Sequence, residues 1–381
     1  MEQKSLSIGV NAYEANVAKR VGSNQYAFRL LVELERVSRG KTIEWTVYLP
    51  SIPLFDLPKE RPGFAYVVCP PKKLWSQWRL PLQLYLKNKH HDVFLSLGHY
   101  SPRFCPSPTV ICILDLAFLK FPQFFLKKDL YQLKNWTAYS ARNAQHIFTI
   151  SQSSKKDILE VYKKQESEVS IAYPGLESVQ ALETMDPITQ KILERFKLEN
   201  RRYIVSIGTI QPRKNIVGAI HAFEKVNPEK GNIYKLVLVG KAGWLTDEFE
   251  RIILNSPQKE NIVLTGFVDD DEKQGLLQHA AASFLVGYYE GFGIPAIESL
   301  QAGVVPVVAN TASLPEVVGE YGILIDPYSV DSIASGFTKA LEMNVDALRR
   351  SQMLEWAKRF SWEESATNML SILVDKFGKK Q

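Results

Sequence analysis

The stretch Tyr289-Glu290-Gly291-Phe292-Gly293-Ile294-Pro295-Ala296-Ile297-Glu298-Ser299-Leu300 concentrates the residue types that could do chemistry. An apolar run, Ala282–Val286, precedes it and predicts a strand, and Pro295 suits the first turn of a helix that opens here. Two glycines let the backbone approach a ligand closely, and the amides of a helix N-terminus favour an anion such as a diphosphate. Glu290 then lies just before the anion site and Glu298 about one turn inside the helix. Ionised carboxylates accept hydrogen bonds from sugar hydroxyls, so carboxylates on both sides of a phosphate suit a nucleotide sugar. Either glutamate alone would be read as a solvated side chain at an ordinary strand–loop–helix junction; the joint arrangement favours function.

A second constellation is Ile207-Gly208-Thr209-Ile210-Gln211-Pro212-Arg213-Lys214-Asn215, again directly after a predicted strand. Arg213 and Lys214 at a strand's carboxyl end would neutralise charge developing on a departing phosphate, although an Arg-Lys pair after a proline is also a common solvated turn. A competing match is Gly291-Phe292-Gly293-Ile294-Pro295-Ala296 to the GxGxxA of dinucleotide-binding folds. That fingerprint belongs at the first strand of its unit, and several strand–helix units precede this one, so a nicotinamide-dependent enzyme ranks third.

The elements that position these residues alternate. Strand-like runs at Leu6–Val10, Trp45–Leu49, Tyr66–Val68, Val93–Leu97, Val110–Leu114, His146–Ile150 and Val169–Ala172 are separated by helical or proline-marked segments, the first of them helical from Tyr26 to Val37. The rhythm lapses near Tyr173–Leu198 and restarts with Tyr203–Ile207, Lys235–Val239, Asn261–Thr265, Ala282–Val286, Val304–Val308 and Gly322–Ile325. Such alternation predicts two α/β domains in series, each a parallel sheet flanked by helices, with ligands outside the carboxyl ends of the strands. The closing stretch, Ser361 to Phe377, predicts a capped helix with Ser361 at its start and Glu364 three residues on.

A length of 381 residues suits two domains, and 45% hydrophobic with 23% charged residues excludes disordered, collagen-like and coiled-coil classes. Cys69, Cys105 and Cys112 form no CxxC, so neither a disulfide framework nor a zinc knuckle is encoded, and a reducing cytoplasm is the simpler setting. No apolar stretch matches a signal peptide or a membrane span. The net charge of +5 is lopsided. Residues 1–185 contain 24 Lys and Arg against 16 Asp and Glu, +8, while residues 186–381 come to −3. A basic first half suggests an anionic partner there: a membrane surface, a phosphorylated acceptor or nucleic acid.

With both constellations in one half and in this order, the chain resembles the retaining glycosyltransferases of family 4, which have the GT-B fold of two Rossmann-like domains facing across a cleft. The resemblance is carried by Glu290 and Glu298 in EGFGIPAIESLQAGVVPVV, Arg213–Asn215, Val239-Gly240, Gly266-Phe267-Val268 and LPEVVGEYGILIDP from Leu314 to Pro327. SQSSKKDI from Ser151, YPG from Tyr173 and FSWEESA from Phe360 extend it over nearly the whole chain. It implies an acceptor-binding domain over 1–178, a donor-binding domain over 186–362, and a final helix, 363–381, packing back on the first domain. It further implies that Arg213 and Lys214 bind the donor diphosphate and that Glu298 holds the ribose hydroxyls. Phe267 and Val268 would contact the base through their backbone, and Glu290, with the backbone of Phe292, Gly293 and Ile294, would hold the donor sugar and its phosphate. Gly22, Gly208 and Gly240 join the donor-binding set, with a nucleotide-diphosphate sugar as co-substrate and no cofactor or metal. No DxD and no clustered His/Asp site stands out.

The sequence departs from that family at two places. Val21-Gly22-Ser23-Asn24 offers one glycine where members often have two, and Leu114 stands where the family frequently has the His of a His-Asp pair, leaving Asp115 to orient an acceptor. His221 and His279 fall in helical patterns and read as surface or packing residues. The stretch from Lys72 through Trp75, Trp78, Arg79, Tyr85, Lys87-Asn88-Lys89 and His90-His91 has two readings. One is a contact with an anionic membrane surface; the other, slightly favoured, is a helix with a solvated basic face and its tryptophans in the core.

The leading expectation is a metal-independent, retaining hexosyltransferase, mannose favoured and GDP-mannose the preferred donor. Its acceptor is a hydroxyl of a glycan or lipid-linked saccharide, and its place the cytoplasm, with peripheral contact at the inner face of an anionic membrane left open as the alternative to a solvated basic face. The alternatives are a sugar-nucleotide epimerase of the same fold and a non-catalytic glycan- or lipid-binding protein. A glycan phosphorylase would need a much longer chain, and nucleic acid is not expected as a partner, because the basic residues are not packed into one helix.

Overall fold

The computed structural model describes residues 5–20, 22–86, 90–176, 186–241, 243 and 247–378. They form two compact units, Met1–Gly175 with Phe360–Gln381, and Leu176–Arg359. In the first, strands β1 (Leu6–Asn11), β2 (Ile43–Leu49), β3 (Phe64–Val68), β4 (Val93–Ser96), β5 (Thr109–Cys112), β6 (His146–Thr149) and β7 (Val169–Ile171) form one sheet in the order β3-β2-β1-β4-β5-β6-β7, every neighbouring pair parallel. In the second, β8 (Tyr203–Ile207), β9 (Lys235–Val239), β10 (Ile262–Gly266), β11 (Ala282–Leu285), β12 (Pro306–Ala309) and β13 (Ile323–Ile325) form a parallel sheet in the order β10-β9-β8-β11-β12-β13. Strands covered by helices on both faces read as short continuous apolar runs. β4, β5, β6, β11 and β12 are accordingly buried at every position.

In the first unit, helix α1 (Ser23–Val37) buries Tyr26, Ala27, Leu30, Leu31 and Leu34, the face expected from spacing, and starts three residues earlier than the apolar periodicity, directly after Gly22. A π-helical turn, Trp75–Arg79, runs into α2 (Leu80–Leu86). Trp75 is buried and its Nε1 donates to the Cys69 carbonyl at 2.8 Å. Trp78 is 73% exposed, which corrects the expectation that both indoles enter the core. In an α-helix residues three apart share a face, whereas the wider π turn carries Trp78 away from the face of Trp75. Lys87, Asn88 and Lys89, singled out with them, lie outside the described residues. Helix α3 (Lys127–Asn143) completes the elements needed below.

The second unit's crossovers include α4 (Ile216–Glu229), α5 (Asp270–Gln278) and α6 (Ile294–Gln301). The closing helix α7 (Trp362–Phe377) belongs to the first unit and packs along α1. Ser361 Oγ caps it by accepting from the Glu364 amide at 3.3 Å, and Ser365 Oγ donates to the Tyr173 carbonyl at 2.7 Å. Trp362 lies against Tyr26, ring centroids 5.6 Å apart, and Arg36 pairs with Glu363 at 2.9 Å. A Cβ on Gly175 would stand 2.2 Å from the Trp362 amide nitrogen, so only glycine allows this seam. Residues 379–381 of the expected closing helix lie outside the described residues.

Candidate functional site

The strand order in the second sheet reverses between β8 and β11, so their following helices leave on opposite faces and a crevice opens at the carboxyl ends of these two strands. Both constellations of the sequence sit there. After β8, Pro212–Lys214 forms one 3₁₀ turn, ended by Asn215 in the left-handed conformation at φ 53°. Asn215 Nδ2 donates to the Val286 carbonyl at 3.2 Å and to the Pro327 carbonyl at 2.7 Å, and its Oδ1 accepts from Tyr288 Oη at 3.0 Å. One buried amide thus ties together the loops that follow β8, β11 and β13.

That tie brings Arg213 and Lys214 against Glu290. Lys214 Nζ donates to Glu290 Oε1 at 2.6 Å and Arg213 Nη1 to Glu290 Oε2 at 3.3 Å; the same Nη1 also donates to the Tyr289 carbonyl. Burial pushes the Glu290 carboxyl up, but Lys214 and then Arg213 outweigh it and hold it below the usual carboxylate range. The cations that a diphosphate would need are therefore already matched by an internal carboxylate.

Beyond Glu290 the chain turns through Phe292, buried, and Gly293, at φ 103°, into α6, whose first residue is Ile294 and whose start has no side-chain cap. A Cβ on Gly293 would meet Leu314 Cδ2 at 2.5 Å. Ser313 Oγ, fully buried, lies 2.8 Å from the carbonyls of both Glu290 and Phe292 and fixes the bend. The uncapped start of α6 and the two cations favour an anion in the same place. One turn into α6, Glu298 accepts from Lys273 Nζ of α5 at 2.9 Å, and Lys273 also reaches Asp270 at 3.1 Å. Burial lowers the Lys273 ammonium's pKa, yet Glu298 and Asp270 together leave it raised.

Gly208 and Gly240, at φ 141° and 140°, close the ends of β8 and β9: a Cβ on Gly240 would lie 2.1 Å from the Gly208 carbonyl oxygen. Past β10, Val268 turns into the core while Phe267 stays exposed, with Lys241 Nζ 5.1 Å from its ring centroid. The second unit therefore gathers Gly208, Arg213, Lys214, Gly240, Phe267, Val268, Glu290, Phe292, Gly293, Ile294 and Glu298 at one end of one sheet.

Gly22 and Asp115 belong to the first unit, at the carboxyl ends of its own strands. Gly22, φ 51°, caps α1, and Asp115 Oδ1 accepts from the Ala117 amide at 2.9 Å. Two neighbours there escaped the sequence reading. Glu14 follows β1; it is hydrogen-bonded by Asn24 Nδ2, and burial raises its pKa against Lys72. His99 follows β4, and its Nε2 accepts from the Leu114 amide at 3.3 Å while Nδ1 is buried without a partner. Burial lowers the His99 pKa, and the nearby Asp115 works against that. A histidine two residues past a predicted strand was the available signal. In the second unit Ser313 and Lys273 were missed because they act across 23 and 25 residues of chain. Among the described residues no three His, Cys, Asp or Glu side chains gather as metal ligands.

The chain is similar to known proteins in both sequence and structure. Residues 189–360 match the family of glycosyl transferases group 1. The chain is 28% identical over 266 residues to O-antigen chain mannosyltransferase B of Escherichia coli, a match covering 68% of each chain. It is also 28% identical over 226 residues to the serotype-specific mannosyltransferase WbdA of Escherichia coli, covering 56% of this chain but only 27% of that protein. In structure it is similar to the Anabaena protein HepE solved with UDP-glucose, at a TM-score of 0.69 and 16% identity over 96% of this chain and 99% of that one. The two parallel-sheet units have the fold of the GT-B glycosyltransferases. Residues 189–360, which hold the paired cations and both glutamates, are the part of the chain that matches the glycosyl transferases of group 1.

Proposed function

We propose that this glycosyltransferase moves mannose from GDP-mannose to a hydroxyl of a glycan or lipid-linked saccharide, with retention at the anomeric carbon and without a metal ion. The observation that carries the reading is the buried Glu290 held between Lys214 and Arg213 immediately before the uncapped start of α6. In this reading the donor diphosphate takes over the two cations and the α6 amides. Arg213 and Lys214 then stabilise the charge that grows on the leaving nucleoside diphosphate. Glu290, released from the cations, accepts from hydroxyls of the transferred sugar. Glu298, steadied by Lys273, takes the ribose hydroxyls, and the backbone at Phe267 and Val268 meets the base. A donor phosphate oxygen takes the acceptor proton as the new bond forms on the face that the phosphate leaves. Gly22 and Asp115 of the first unit serve the donor loop and the acceptor, and the enzyme works in the cytoplasm, peripheral at the inner face of the membrane. Mannose is favoured because the similar bacterial enzymes are named as mannosyltransferases.

The test is transfer from GDP-mannose, UDP-glucose and UDP-N-acetylglucosamine to a lipid-linked saccharide, with and without a chelator, with the product anomer assigned by NMR. Expected are an α-mannoside from GDP-mannose, unaffected by chelation, a large loss of turnover with little loss of donor binding in Glu290→Gln, and loss of both in Arg213→Ala. Near-normal transfer by both variants would refute the site. Conversion of donor without acceptor would refute transfer.

A further inference from the structure

Helix α2 and the π turn before it are apolar on two sides. The inner side, Trp75, Leu80 and Leu84, packs with Tyr48, Cys69 and Phe94. The outer side presents Trp78, Leu82, Tyr85 and Leu86, at 73%, 52%, 55% and 71% exposure, spaced as one helical stripe. Leu74 before the turn and Phe104 beside Tyr85 are exposed as well, and Tyr85 Oη donates to the Phe104 carbonyl at 2.6 Å. A helix on a soluble domain normally spends its outer face on charged residues; this one spends it on an indole, a phenol and two leucines. The charge along this stretch of sequence is of one sign. From Arg61 to His91 the sequence has six Lys and Arg and not one Asp or Glu, and Lys72 and Lys73 stand exposed just before the stripe.

We infer that the outer face of α2 docks the protein on an anionic phospholipid bilayer, Trp78, Leu82, Tyr85 and Leu86 entering the headgroup boundary and Lys72, Lys73 and Arg79 meeting lipid phosphates. The inference deepens the functional reading, on which it rests for a lipid-linked acceptor. Amphipathic aromatic side chains settle at the interface between headgroups and acyl chains, and lysines beside them gain from anionic lipid. The apolar stripe alone would serve a protein partner or a second copy equally well; the exposed Lys72 and Lys73, in a stretch of sequence without an acidic residue, select the bilayer.

The experiment is sedimentation of the full chain with vesicles of phosphatidylcholine, alone or with roughly a third phosphatidylglycerol, at low and high salt. Expected is strong binding to the mixed vesicles at low salt, weakened by salt and by omission of phosphatidylglycerol. Trp78→Ser with Leu86→Ser should lower partitioning by about tenfold or more, since both side chains would lose their apolar burial. Leu254→Ser, an equally exposed leucine of the second unit at 72%, should leave it unchanged. Thermal midpoints of all three proteins show that each is folded. No binding to mixed vesicles, equal binding by the double variant, or concentration-dependent self-association that the double variant abolishes would overturn the proposal. Failure to sediment with intact transfer to a soluble glycan would overturn docking and leave the transferase reading standing; the reverse result would overturn only the latter.

Discussion

Replacing Glu290 by Gln tests whether the cluster of Arg213, Lys214 and Glu290 is held together by its own carboxylate. The substitution keeps the shape and removes the charge, leaving Arg213 and Lys214, with side chains only 14% and 20% exposed, facing a neutral amide. At 2.6 and 3.3 Å, and an effective dielectric constant of about 20, each contact gives about 5–6 kcal/mol of Coulomb attraction, most of it offset by desolvation. Breaking such a group from one side costs roughly 3 kcal/mol. In a unit of the size of Leu176–Arg359 that lowers the unfolding midpoint by about 6–12 °C. A nucleoside diphosphate would return the missing negative charge, so GDP should raise the midpoint of the variant by more than it raises that of the parent. The assay is calorimetry at neutral pH, with and without GDP, at several salt concentrations. The pH dependence has a fixed sign. Because Glu290 titrates below its ordinary value, its contribution is complete above the unfolded carboxyl pKa, about 4.3, and is lost as the pH falls through the lowered one. The variant should lack that acid limb. A midpoint within about 2 °C of the parent, together with an unchanged response to GDP, would refute the internal-counterion account.

Lys273→Met removes the partner of Glu298 and should raise KM for the donor more than it lowers kcat, read by steady-state kinetics; equal loss in both would show that Lys273 acts on the reaction step. Gly240→Ala places a Cβ 2.1 Å from the Gly208 carbonyl at φ 140° and should cost more than about 2 kcal/mol in denaturant unfolding, with loss of nucleotide binding; a smaller cost would show that the ends of β8 and β9 can part. His146 is buried with both ring nitrogens unpartnered, and burial, reinforced by Lys376, pushes its pKa down to about 4. The unfolded chain takes up that proton first, so stability should fall as the pH drops from about 6.5 toward 4, and His146→Phe should flatten this slope in pH-dependent unfolding.

The strands were legible because parallel strands buried on both faces appear as short apolar runs between helical patterns, and β8 to β13 fall on the runs read from sequence. Glu290, Gly293 and α6 were legible for a similar reason, since strand, loop and helix start are contiguous in the chain. What joins them was not. Asn215 reaches Val286 and Pro327 across 71 and 112 residues, and no local pattern announces which carbonyls a side chain will meet. Trp78 was misjudged because periodicity assumes the 3.6-residue turn, and a single π turn shifts every outward position after it. Glu14 and His99 show a further limit: their spacing is ordinary, and only burial and neighbours distinguish them.

The return of α7 to the first unit bears on how the protein is made. Residues 176–359 are contiguous and can close their sheet while the rest of the chain is still on the ribosome. The earlier-synthesised unit cannot complete itself. Its α1 flank, with Tyr26 and Arg36, waits for Trp362–Phe377, which leave the exit tunnel more than 180 residues after Gly175. The half synthesised first is thus finished last, and until α7 emerges an apolar seam on α1 stands open, a natural binding site for a chaperone. A stop codon placed shortly before Trp362 would leave the second unit whole and cost the first its cover.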